Sequence, residues 1–340
     1  MLMVVFGAGA SYDSSSSFRP GSGRDSPYRP PLANDLFDAK EQFRQFAQKY
    51  PRVLQVIQYL REIPEDKSIE EVLETLQAEA GDYDNRKRQM AAIRYYLYEL
   101  LWECTTQWDR CTQGDSNYRT LLDQIERHRG DDRVALVTFN YDRLLEHALV
   151  ADFGFKIDKI AAYMTSHPGY KLFKLHGSID WARAIANPPQ LNFNRHNIIE
   201  GFPDLLLSST FTVCGNNIDS AKGLPLFPAL AIPVQTKKSF ECPDEHIQTL
   251  NSMIAETTKI LFIGWRAQET HFLDLLRQNL PSLRSVMVVD KNESNARKVL
   301  GQIQNDLRDK VYGADTVPAY GGFSDFVRKR EGEAFLKAKP

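Results

Sequence analysis

An amide, a carboxylate and an imidazole stand out in this chain by where they sit. Asn140 and Asp142 belong to Thr138-Phe139-Asn140-Tyr141-Asp142, and His176 to Leu175-His176-Gly177-Ser178. Far upstream lies a third segment, Phe6-Gly7-Ala8-Gly9-Ala10-Ser11. Each follows an apolar run that reads as a buried strand. Glycines opening a helix let backbone amides approach a phosphate closely. An asparagine offers donors and an acceptor to a ribose hydroxyl, a carboxamide or a water. Asp142 could orient a partner or balance developing positive charge, and His176 could take a proton near neutrality. Together the segments supply what the parts of a dinucleotide would need.

Each segment also has an ordinary structural explanation. Gly7-Ala8-Gly9 can be a tight strand-to-helix turn, Asn140 can cap the next helix with Asp142 in its first turn, and His176 can be a hydrogen-bonded structural histidine. The glycine pattern departs from G-x-G-x-x-G, because Tyr12 holds the third position. No suitable acidic residue ends a second strand about 20 residues on, which disfavours an ordinary dehydrogenase site. Among the other histidines, only His271, shortly after Gly264, has a comparable setting.

The positioning elements follow from periodicity. Short apolar strands are expected at Met1–Phe6, Val134–Val137, Leu172–Leu175, Ile260–Ile263 and Val286–Val289, alternating with helices. Near-continuous apolar strands of this kind indicate a parallel sheet covered on both faces. Ligands bind such sheets beyond the carboxyl ends of the strands. Gly7, Asn140, His176, Gly264 and Asp290 all fall there. Asp13–Pro31 is rich in Ser, Gly and Pro and reads as a mobile loop, either a cofactor-covering lid or a plain surface loop. Residues 32–128 read as helical. Ser68 and Glu71 have capping-box spacing ahead of Val72, Leu73 and Leu76. Met90–Trp108 is aromatic on more than one face, suiting either a core helix or a subunit contact. Residues 182–245 resist assignment. The expected organisation is an α/β domain over 1–31 and 129–330, a helical insertion over 32–128, and a tail over 331–340.

Bulk properties narrow the classes. Hydrophobic residues make up 42 % and charged residues 25 %, ordinary for a globular protein. A net charge of −2 gives no electrostatic case for nucleic-acid binding. No apolar run approaches the roughly 20 residues that span a bilayer, and the N-terminus reads as a strand rather than a signal peptide. A cytoplasmic location is therefore expected. Cys104, Cys111, Cys214 and Cys242 form no C-x-x-C pair, so reduced thiols and no metal site are expected.

Taken in order, these segments resemble the sirtuin-type NAD-binding fold. Gly7-Ala8-Gly9-Ala10-Ser11 is similar to the sirtuin G-A-G-x-S turn. Asn140 and Asp142 match Q-N-x-D, with Phe139 in place of Gln. Leu175-His176-Gly177 resembles the segment of the catalytic histidine. Gly264 resembles the glycine of G-T-S, from which Trp265 and Arg266 depart, and Asp290 falls where a polar residue meets the adenosine ribose. The paired cysteines of the deacylase zinc module are missing, which puts the acyl-lysine groove in doubt. F-G-A-G-A-S, Arg29-Pro30-Pro31-Leu32, T-F-N-Y-D and L-H-G-S together resemble the zinc-free bacterial sirtuin-like proteins of antiphage defence.

That resemblance implies a Rossmann-like α/β fold with a helical insertion and NAD as substrate, hydrolysed to nicotinamide and ADP-ribose. It implies catalytic roles for Asn140, His176 and Asp142, pyrophosphate contacts at Gly7, Ala8, Gly9 and Ser11, and cofactor contacts at Gly264 and Asp290. Because such an activity needs gating, a homo-oligomer or a separate ring-forming ATPase/translocase partner is expected, with the Met90–Trp108 helix as candidate contact surface. A non-catalytic NAD or ADP-ribose-binding subunit and a protein deacylase or ADP-ribosyltransferase are the alternatives.

Overall fold

The computed structural model describes residues 1–38, 40–61, 68–187, 194–219, 225–234 and 240–338. The unassigned stretch over 182–245 thus lies partly outside the described residues. Among the described residues the strands are β1 (Leu2–Phe6), β2 (Val134–Thr138), β3 (Tyr170–Lys174), β4 (Gly177–Ile185), β5 (Leu207–Val213), β6 (Leu226–Leu230), β7 (Lys259–Ile263), β8 (Ser285–Asp290) and β9 (Asp315–Tyr320). The N-terminal helices are α1 (Ala8–Tyr12), α2 (Glu41–Ala47), α3 (Pro51–Arg61), α4 (Ile69–Glu79), α5 (Asp84–Thr112) and α6 (Asn117–Arg129). The middle of the chain adds α7 (Leu144–Phe153), α8 (Ala162–Thr165), α9 (Arg195–Gly201) and α10 (Asp244–Ile254). The last five are α11 (Thr270–Asn279), α12 (Glu293–Asp306), α13 (Arg308–Val311), α14 (Gly322–Lys329) and α15 (Glu333–Lys337).

Six strands form one parallel sheet in the order β3-β2-β1-β7-β8-β9. Numbered within the sheet this is 3-2-1-4-5-6, the doubly wound order whose direction reverses beside the first strand. Every residue of β1, β2 and β7 is buried, as a sheet covered on both faces requires. The α/β, Rossmann-like expectation holds. β9 was not foreseen: it is a half-exposed edge strand carrying Asp315, Thr316 and Pro318, so it lacks the apolar signal of its neighbours.

A second core lies beside the sheet. Its centre is α5, which buries Tyr95, Tyr96, Leu97, Tyr98 and Leu100 against α3, α4 and a three-stranded antiparallel sheet, β5-β4-β6. The tyrosines explain themselves there. Their hydroxyls donate to the carbonyls of Leu226 (3.0 Å), Leu36 (2.6 Å) and Gly215 (3.2 Å), satisfying the polar tips of rings that fill the core. This face was a candidate subunit contact; it is buried within the chain instead. The capping box of α4 forms as expected, Ser68 accepting from the Glu71 amide at 3.1 Å and Glu71 from the Ser68 amide at 2.9 Å.

The boundaries differ from those expected of the sequence. α6, placed in the insertion, buries Tyr118, Leu121, Leu122 and Ile125 in the core of the large sheet, whereas Ile179, Ala182, Phe227 and Leu230 from the α/β segment complete the second core. The expected tail contains α15, whose Phe335 and Leu336 are buried in the main core.

Candidate functional site

The switch in strand order sets the site. Phe6-Gly7, Thr138-Phe139, Lys174-Leu175, Ile263-Gly264 and Asp290 end adjacent parallel strands, so the five segments singled out by sequence share one edge of the sheet. A cavity of about 440 Å³ opens there, within the usual range for small-molecule sites. Gly7, Ala8, Gly9, Ser11, Asn140, Asp142, His176, Gly264 and Asp290 all line it.

The glycines bring two turns into contact. The Gly7 amide donates to the Ile263 carbonyl and the Gly9 amide to the Gly264 carbonyl, each at 3.0 Å. A Cβ on Gly7 would lie 2.5 Å from the Gly264 oxygen, and one on Gly9 2.8 Å from the Gly264 Cα. Only bare backbone fits this crossing. Two of the amides expected to meet a phosphate are therefore engaged by the last residue of β7 and the glycine that follows it. Ala8, at the first position of α1, retains an amide with no acceptor inside its own helix.

Asn140 is held by its amide group. Its Nδ2 donates to the Gly7 carbonyl (2.9 Å) and to Ser11 Oγ (2.9 Å), and approaches the Tyr118 hydroxyl at 3.4 Å. Both amide protons are thus directed into the protein, and Oδ1 is the atom left to accept from a ligand. Asn140 does not cap α7. Arg143 holds the N-cap position, and Asp142, one residue before it, accepts from the first amide of the helix, Leu144, through Oδ1 at 3.0 Å. Ser11 is only 3 % exposed and lies 3.0 Å from Tyr118 Oη, so it braces Asn140 besides touching the cavity.

Burial pushes the Asp142 carboxyl above the ordinary carboxylate range. The Lys174 cation and the bonds from Ser11 and the Leu144 amide pull it back, while Glu146 pushes it further up. Burial likewise raises Asp13, which accepts from the Ser324 amide at 3.0 Å and so ties α14 to the segment after α1.

His176 packs in an aromatic wall. Its ring centroid is 4.8 Å from Phe139 and 6.2 Å from His271. Phe139 also stacks on Trp265, at 5.8 Å with 9° between planes. Phe139 and Trp265 both depart from the expected motifs, and they depart together: one aromatic stack replaces two smaller polar groups behind the histidine. Gly177, at φ +81°, is required because a Cβ would strike the Ala229 carbonyl of β6.

Several lining residues escaped the sequence reading. Arg19, Arg266, Lys291 and Asn295 add polar groups, and Gly321-Gly322-Phe323 closes the far end. Lys291 could have been found beside Asp290; the others follow strands or turns without a readable signal. Leu36, Leu101 and Val234 of the second core, with Leu32 beside them, supply an apolar wall.

The Asp13–Pro31 segment, expected to be mobile, is anchored. Arg29 is buried, donating to the carbonyls of Tyr12 (2.8 Å) and Phe18 (2.6 Å) and pairing with Asp25 at 2.8 Å. Its guanidinium lies over the rings of Tyr12 and Trp108, each 5.1 Å away. All four cysteines are free; burial pushes Cys104, Cys214 and Cys242 up to about 12. Among the described residues no group of His, Cys, Asp and Glu is arranged to hold a metal ion, and no helix is long and apolar enough to cross a membrane.

A parallel doubly wound sheet with a cavity at its switch point is the arrangement in which open α/β folds bind their ligands. Residues 134–305, just over half of the chain, match the family model of the SIR2-like domain. The chain belongs to that family. Similar solved structures include Sir2Tm bound to a propionylated peptide, at 12 % identity and a TM-score of 0.42 over 99 % of this chain and 94 % of that one. Another is a Sir2 homolog–NAD complex, at 13 % identity and a TM-score of 0.37 over 97 % of this chain and 90 % of that one. No curated protein matches this sequence significantly.

Proposed function

We propose that this protein is an NAD⁺ glycohydrolase, which breaks the nicotinamide–ribose bond and passes the ribose carbon to water. The products are nicotinamide, ADP-ribose and a proton. The observation that carries the reading is the meeting of Asn140 and His176 with the Gly7–Gly9 turn around one cavity.

The nicotinamide–ribose bond breaks to release a neutral ring and leaves cationic character on the ribose, which a polar, partly anionic pocket favours. Asn140 Oδ1 accepts from a ribose hydroxyl or from the attacking water, and His176 takes the proton. Asp142 supports the turn that holds Asn140. The pyrophosphate lies against the Gly7–Ser11 turn, with Ala8 donating and Gly7, Gly9 and Gly264 giving it access, and Asp290 meets the adenosine ribose. Unrestrained hydrolysis would drain the host's NAD, so we assign the activity to a gated effector of antiphage defence. Self-assembly or a separate ring-forming ATPase partner supplies the gate, on the motif resemblance.

Incubation with NAD⁺, with and without co-purified partners, followed by chromatography for nicotinamide and ADP-ribose, tests the reading. Losing a general base costs about 10²–10⁴-fold, so His176→Ala should abolish measurable turnover while melting near the wild type. Asn140→Ala should do the same at a stability cost of about 1–3 kcal/mol for its lost anchors. Wild-type turnover in both variants would sink the assignment. A second reading, acyl-lysine removal, is favoured by the apolar wall of Leu32, Leu36, Leu101 and Val234; it requires nicotinamide release only when an acylated peptide is added. Binding of NAD⁺ with no release under any condition would instead mark a regulatory subunit.

A further inference from the structure

Lys174 ends β3 two residues before His176, and its side chain is 0 % exposed. A buried ammonium is costly unless its protons are taken up. Here one goes to Glu146, 2.9 Å away and 1 % exposed, and another to the backbone carbonyl of Asp142. The lysine therefore reaches from the histidine's strand to the last residue of the Asn140–Asp142 turn. Glu146 stands on α7, whose first amide donates to Asp142, and its Oε1 lies 3.4 Å from Tyr163 Oη. None of these contacts is needed to close the sheet, whose register is carried by the backbone of β2 and β3.

We propose that Lys174 is a positioning residue of the reaction, fixing the Asn140–Asp142 turn against the histidine strand and offsetting the buried negative charge of that turn. The proposal rests on the NAD⁺-cleaving reading of the site. The groups that face the Asp142 carboxylate are Lys174 from β3, Glu146 from α7, Ser11 from α1 and Tyr118 from α6, with Asp180 of β4 beyond them, coupled to both Lys174 and Glu146. Lys174 favours the ionised carboxylate and Glu146 opposes it. Removing the two charges should thus move the site in opposite directions, which a purely structural loss would not do.

The test is the pH dependence of NAD⁺ turnover in Lys174→Met, Glu146→Gln and the double variant. In Lys174→Met the acid limb should move to higher pH, with turnover at pH 6 reduced about 10–100-fold, the range for a small misplacement of reacting groups, and partly restored by raising the pH. In Glu146→Gln the limb should move to lower pH. The double variant leaves neither charge unpaired, so it keeps the test open if Lys174→Met fails to fold; its limb should lie between those of wild type and Lys174→Met. Titration of the Asp142 carboxyl by ¹³C NMR, assigned with Asp142→Asn, should show the same opposite shifts without any turnover. Absent turnover with opposed NMR shifts would overturn the glycohydrolase reading and keep the Lys174–Asp142 linkage. Superimposable or same-direction shifts in an active enzyme would overturn the role of Lys174 alone.

Discussion

Burial acts on side chains of this protein in different directions, and His246 shows the consequence most simply. The ring is 2 % exposed, packed 5.7 Å from Trp181 and 6.1 Å from Tyr163. Burial lowers its pKa from 6.5 to about 4. A histidine depressed in the folded state takes up protons more readily when unfolded. Its contribution is therefore complete above pH 6.5 and is lost as the pH falls toward 4. At pH 5 the loss reaches about 2 kcal/mol. Thermal melting between pH 7.5 and 5 should fall less steeply in His246→Leu than in the wild type, whose curve includes this term. Parallel curves would remove His246 from the acid sensitivity of the fold. The same burial raises Asp142, and a neighbouring lysine decides how far.

At the scale of elements, what the sequence revealed depended on whether the cause was local. The strands ending at Phe6, Thr138, Ile263 and Asp290 were legible because both of their faces are buried, so each carries a run of at least four apolar residues. The one ending at Lys174 showed through Leu172 and Phe173 despite Lys171. The glycine turn was legible as a need for glycine. Its reason was not, since the crossing partner, Gly264, is 255 residues from Gly9. β4 was hidden by the motif before it: His176-Gly177 reads as a turn, yet the strand restarts at Gly177 itself. Asp13–Pro31 was misread because composition reports what a segment cannot bury, not what another side chain can tie down. Arg29 does the tying. Arg29→Met should retain much of the packing over Tyr12 and Trp108 while losing two bonds from a charged donor to carbonyls. The expected cost is about 2–4 kcal/mol. Amide exchange over residues 14–24 should accelerate at least about tenfold, while the amides of β1 and β2 stay protected. Unchanged exchange there would mean that the bonds from Ser15 and Ser17 to Asp115 suffice without Arg29.

At the scale of the molecule, two cores share one helix, because Met90–Cys104 of α5 lies in the second and Trp108 in the first. The cavity is walled by both, so the helical residues near its mouth belong to the site as much as the sheet does. Sequence boundaries missed this because contiguity in the chain is a poor guide when each core borrows from the other's segment. The C-terminus makes the point testable. Read as a tail, it instead buries Phe335 and Leu336 and caps a buried cation: Lys259 Nζ donates to the carbonyls of Phe335 (3.2 Å), Leu336 (3.2 Å) and Ala338 (2.7 Å). Deleting residues 331–340 should cost about 3–6 kcal/mol in lost apolar burial, and more from a lysine deprived of its acceptors. Melting should fall by about 10 °C or more. The two contributions separate in a cycle with Lys259→Met. In the full chain that substitution should be neutral or destabilising, since it discards three bonds. In the truncated chain it should raise the melting temperature, since the cation it removes has lost its partners. A truncated protein that melts like the full one would restore the tail; one that Lys259→Met fails to rescue would leave the loss to apolar burial alone.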